Sequence, residues 1–107
     1  MQNRKLVSCQ TSAFYTGVSI TIPANSFYVV TGTAFWSEVS PTWVGIASSD
    51  ASPNTQLAEG TRTQSVAACT LAGFTEGELT LYLWAQYSSE SSNRVYFDGF
   101  YISKQAD

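Results

Sequence analysis

The sequence predicts an all-β fold, a jelly-roll sandwich of two antiparallel sheets. Three observations carry this. Apolar residues recur with a period of two almost throughout, and helical spacing fits nowhere as well. Short strand candidates follow one another with turn-forming residues between them and no helix. Ser and Thr make up about a quarter of the chain, and Val, Thr, Tyr, Phe and Trp favour the pleated conformation. With 107 residues, 44% hydrophobic and only 12% charged, the chain has the composition of one folded domain. That domain is expected over 1–107, with 1–17 a short lead-in strand and loop.

The first candidate strand, 4–10, surrounds Leu6-Val7. The second, 18–22, alternates through Ile20 and Ile22 and stops at the turn signal Pro23-Ala24-Asn25-Ser26. The third, 27–37, is apolar on both phases: Phe27, Val29 and Phe35 on one, Tyr28, Val30, Ala34 and Trp36 on the other. Ser40-Pro41 separates it from the fourth, 43–48, which ends before Asp50-Ala51-Ser52-Pro53-Asn54. The fifth, 62–71, precedes Thr75-Glu76-Gly77. The sixth, 78–87, carries Leu79, Leu81, Leu83 and Ala85 on one face and Thr80, Tyr82, Trp84 and Gln86 on the other. The Ser-rich stretch 88–93 reads as a hairpin loop into the seventh, 94–103, with Val95, Phe97, Gly99 and Tyr101 opposite Tyr96, Asp98, Phe100 and Ile102. An antiparallel sheet commonly keeps one solvated polar face. Here both faces of the last strands are large and apolar, and a chain this short is expected to need another subunit to cover them.

Composition excludes several chemistries. There is no His, which removes His-based acid–base catalysis, the Ser-His-Asp triad and the commonest zinc sites. The net charge is −3 and Arg4-Lys5 is the only adjacent basic pair, so no nucleic-acid partner is expected. No Gly-rich phosphate loop or nucleophile-elbow motif occurs. The carboxylates nearest in spacing, Glu76 and Glu78, flank Gly77 in a turn and read as solvated. Asp98 reads as paired or exposed within its aromatic strand. Asp50 with Asn54 falls short of the six to eight oxygens that calcium takes, so no metal and no cofactor is expected. Cys9 and Cys69 are either two buried thiols or a disulfide, which sequence separation does not decide. No signal-peptide run of about 7–15 apolar residues and no spanning run of ~20 is present. No membrane insertion is expected, and the chain is either folded in the cytoplasm or a piece of something larger.

The segments 19–34 (from Ser19-Ile20-Thr21-Ile22-Pro23-Ala24-Asn25-Ser26-Phe27-Tyr28 to Thr33-Ala34), 65–84 (from Ser65-Val66 through Leu71-Ala72-Gly73-Phe74-Thr75-Glu76-Gly77-Glu78 to Leu83-Trp84) and Tyr96-Phe97-Asp98-Gly99-Phe100-Tyr101-Ile102 resemble, in that order, an early hairpin, a later strand, turn and long alternating strand, and the final strand of tumour necrosis factor-like and complement globular-head jelly rolls. The likeness covers roughly 18–104 and rests on strand order and turn residues. The short chain looks more like the compact heads at the tips of bacteriophage tail fibres and other virion appendages. That resemblance implies a homotrimer on a virion, with aromatic residues around a threefold axis, and a role in adhesion rather than catalysis. Tyr28, Tyr82, Trp84 and Phe100 are the expected interface residues. A cell-surface glycan or protein receptor is expected at loops 37–43, 49–56 and 88–93, since loops on a rigid sandwich carry binding. An exposed Trp ring beside amide or hydroxyl groups suits a sugar. Trp43 is the first candidate and Trp36 the second, with Asn54 and Asn93 as polar partners. The alternative is a monomeric, extracellular carbohydrate-binding module, which is also commonly a β-sandwich.

Overall fold

A computed structural model describes residues 2–36 and 38–104. The described residues are all-β, with no α-helix and a single three-residue 3-10 turn. Eight antiparallel strands form one nearly closed, barrel-like sheet. They are β1 (Gln2–Ser8), β2 (Phe14–Ile22), β3 (Ser26–Phe35), β4 (Pro41–Ala47), β5 (Gln56–Thr63), β6 (Val66–Thr75), β7 (Leu79–Tyr87) and β8 (Ser92–Ser103). Their order across the sheet is β1-β8-β3-β6-β5-β4-β7-β2. β5 makes the continuity: it pairs along its length with β4, and at Arg62 and Thr63 with β6. β1 and β2 are the two outermost strands. Ser37, which the expected third strand and first loop include, lies outside the described residues.

Alternation sets the inside. β2 buries Phe14, Thr16, Val18, Ile20 and Ile22, and β7 buries Leu81, Leu83, Ala85 and Tyr87. Val30 and Ala34 of β3, Val44 and Ile46 of β4, and Val95 and Phe97 of β8 pack into the same core. Thr16 is the polar exception on β2, and its hydroxyl donates to the Leu83 carbonyl at 2.7 Å. Beside it Gly17 takes φ +84, a conformation suited to glycine, and the pairing with β7 shifts register between Tyr15 and Val18. This bulge lets β2 begin four residues before the expected start. The Cys9 and Cys69 thiols are both free and both buried, which resolves the open alternative.

Two expected hairpins are not hairpins. β2 pairs with β7 and β3 with β6 and β8, so the turn at Pro23 to Asn25 carries the chain from one half of the order to the other. Asn25 occupies it at φ +58, and Thr75 pins it: its carbonyl accepts from Asn25 N at 2.8 Å and its hydroxyl donates to Pro23 O at 2.7 Å. The loop between β7 and β8 likewise joins strands that do not pair with one another. The expected strand 62–71 divides into the ends of β5 and β6, turning at Gln64 with φ +56.

Candidate functional site

The outer surface of β4 and β7 carries the first feature. Trp43 and Gly45 face outward from β4, and Trp84 and Gln86 face outward from β7 beside them. Gly45 has no side chain, and the edge of the Trp43 ring occupies the space above it: a Cβ there would stand 2.5 Å from both Cζ2 and Cη2 of the indole. The segment between β4 and β5 folds over this surface and is braced by its own Ser and Thr side chains. Ser49 Oγ accepts from Ala51 N at 3.0 Å, Ser52 Oγ from Asn54 N at 3.2 Å, and Thr55 Oγ1 donates to Ser52 O at 3.0 Å. The short turn Pro53–Thr55 then brings Asn54 toward Trp43. The result is an open groove of about 490 Å³ lined by Ala13, Thr42, Trp43, Asn54, Gln56 and Gln86.

No charged side chain is among those lining residues. Gln86 Nε2 donates to Thr11 O at 2.9 Å, and Gln56 Nε2 donates to the Glu59 carboxylate. Both amides are thereby fixed and keep their carbonyl oxygens as acceptors. The Thr42 hydroxyl donates to Gln86 O at 3.1 Å. Sequence reasoning anticipated Trp43 and Asn54 here. Its loops 37–43 and 49–56 also take in Thr42 and Gln56. It missed Gln86, which joins them only because β4 and β7 are neighbours, although Gln86 stood on the outward phase of its strand.

The other two expected ligand residues lie elsewhere. Trp36, 42% exposed, sits beyond the end of β3 with the Arg62 guanidinium 4.3 Å above its ring. Asn93 is corrected outright: it is 1% exposed, and its amide donates to Val39 O at 2.7 Å, a core tie rather than a contact for a ligand.

The outward face of β3, β6 and β8 carries the second feature. Phe27 stands directly between Phe74 and Ile102, and Val29 between Ala72 and Phe100. Phe27 and Phe74 pack with ring centroids 4.7 Å apart, yet Phe27, Phe100 and Ile102 are 55%, 58% and 65% exposed. Asp98 is exposed further along the same face.

No protein-family model matches the chain, and no curated protein is similar to it. Geometry alone therefore redistributes the four expected interface residues. Tyr28 points inward and belongs to the core. Trp84 is buried by the chain's own loop, where its Nε1 donates to Ser49 O at 2.8 Å. Tyr82 stacks edge-on against Tyr15, 5.6 Å away, on the opposite half of the sheet from Phe100. Only Phe100 lies on an uncovered apolar face. The expectation that one short chain cannot cover both faces of its last strands is thus corrected for β7, where the loop between β4 and β5 does so. Among the described residues no group of three metal-ligating side chains occurs, and no helix is long and apolar enough to cross a membrane.

Proposed function

We propose that the chain is a non-catalytic, trimeric head domain that recognises a surface receptor, of the kind that caps a virion appendage or tail fibre. The exposed cluster of Phe27, Phe74, Phe100 and Ile102 carries the trimer reading. A chain that buries Phe14, Phe97 and Tyr87 leaves these four outside together, on one end of one face, and such contiguous apolar surface is the usual mark of a protein contact. The strand order supports a jelly roll: it divides into β1-β8-β3-β6 and β5-β4-β7-β2, and most connections pass from one half to the other, as two sheets of a jelly roll require. The appendage reading rests on the resemblance of the turn and strand segments to tumour necrosis factor-like and complement heads, together with a chain short enough to look like the compact heads of tail fibres.

Light scattering on the purified chain tests the assembly. A trimer has three times the 11.6 kDa monomer mass. Phe100→Glu should dissociate it without unfolding it, because the side chain is solvent-exposed within one chain and a charge is costly only when a partner buries it. A wild-type mass of 11.6 kDa at micromolar concentration would sink the trimer and favour the monomeric carbohydrate-binding module.

A further inference from the structure

We infer that the groove beside Trp43 binds a neutral pyranose, with the apolar face of the sugar ring on the indole and its hydroxyls met by Asn54, Gln56 and Gln86. The inference deepens the receptor-recognition reading and rests on it for biological purpose.

Three observations select this ligand class. The ring is pre-placed, because its edge fits where Gly45 offers no side chain and the strand fixes its base, so little ordering is needed on binding. The polar groups around it are neutral and mixed in kind. Gln56 and Gln86 present carbonyl acceptors, Asn54 a whole carboxamide, and the Trp43 indole N–H donates to nothing among the described residues. A sugar hydroxyl both donates and accepts, so it satisfies such a set. The volume, about 490 Å³, falls in the ordinary range of small-molecule sites. Anions fit badly: no Lys or Arg lines the groove, and the Glu59 carboxylate is held on Gln56, one of its lining residues. A nucleotide would find a stacking ring and no counter-charge for its phosphate. Acidic sugars fail for the same reason.

Heteronuclear NMR of the full chain tests this, with methyl glucoside, methyl galactoside and N-acetylglucosamine as neutral probes and N-acetylneuraminic acid and adenosine monophosphate as charged ones. The Trp43 indole signal should move with at least one neutral sugar at millimolar concentration. The Trp84 signal, tied to Ser49, and the Trp36 signal, beneath Arg62, should hold still. Trp43→Ala should weaken binding about tenfold or more. Asn54→Ala, on the exposed turn, should weaken it several-fold at unchanged thermal midpoint, which guards against a folding defect in the first variant. A Trp43 signal silent to all three neutral sugars, tighter binding of either charged probe, or binding unchanged in Asn54→Ala or in a folded Trp43→Ala would overturn the assignment. Light scattering on the same samples keeps the two readings apart. A monomer that binds sugar removes the trimer alone, and a trimer silent to sugar removes the groove alone.

Discussion

Gly45 shows how a single missing side chain shapes the site. Replacing it with Ala sets a Cβ against the edge of the Trp43 ring, and the ring must lift because an indole has no flexible end to yield. Gly45→Ala should cost about 1–3 kcal/mol of stability. It should also shift the Trp43 indole signal while those of Trp36 and Trp84 stay, a pattern that general unfolding would not give. The two cysteines make a second residue-scale prediction. Burial pushes both thiols from 9.0 up to about 11. Below 9 both the folded and the unfolded chain keep these protons, and stability does not change on their account. Between 9 and 11 the unfolded chain releases them first, so stability falls as pH rises. The buried Tyr87 hydroxyl, also pushed upward by burial, extends the fall in the same direction. Urea midpoints across the alkaline range should therefore decline, and the double variant Cys9→Ala, Cys69→Ala should decline less steeply. An equally steep decline in the variant would mean that the thiols are not its source.

At the scale of the element, β5 is the critical strand. Gly60 lies where β5 leaves β4 to meet β6, and a Cβ on it would overlap the Ala68 carbonyl, with the carbonyl carbon at 2.8 Å. That neighbour is backbone within a paired strand and cannot rotate away. Gly60→Ala should destabilise by about 1–3 kcal/mol, lowering the thermal midpoint by roughly 4–8 °C for each; an unchanged midpoint would show that the two strands are free to part there. This same strand was illegible in the sequence. Its inward positions are Ala58 and Gly60, too small to mark a hydrophobic face, and it turns into β6 at Gln64, a residue that rarely signals a turn. The run 62–71 consequently read as one strand. β7 was the opposite case: four aliphatic residues in strict alternation, bounded by Gly77 and a Ser-rich loop, left one reading. Strand positions followed from such local patterns. Partners did not, because a turn signal says that the chain reverses and not which strand it will lie against. Trp43 could be picked out as a large ring next to a turn, and Asn54 as a polar loop residue. Gln56 and Gln86 could not be joined to them without the order β5-β4-β7. Asn93 failed because a buried amide and a ligand-binding amide look alike in a sequence.

For the whole molecule, the contrast between its two outer faces is the main result. One is closed over by a self-braced loop that leaves a small polar groove. The other ends in Phe27, Phe74, Phe100 and Ile102, each 41–65% exposed among the described residues. If a trimer covers that end, unfolding is coupled to dissociation, and the thermal midpoint should rise with protein concentration. Calorimetry over a concentration series checks this, with Phe100→Glu expected to show a lower and concentration-independent midpoint; a wild-type midpoint indifferent to concentration would speak against assembly. The strand order also has a mechanical meaning. β1 has a backbone ladder on one side only, with β8, apart from the Asn3 amide that donates to Ser19 O of β2 at 2.6 Å, and its first paired residue, Gln2, lies against Asp98 in the middle of β8. A load applied at Gln2 therefore falls on the β1 ladder one hydrogen bond at a time, like a zip. A load applied at Ser103 meets β8 where β3 alone pairs with it, and from Asp98 onward reaches the stretch clamped between β1 and β3, where two ladders must give together. Pulled by its first strand, the molecule loses one ladder; pulled by its last, it peels as far as Gly99 and then resists.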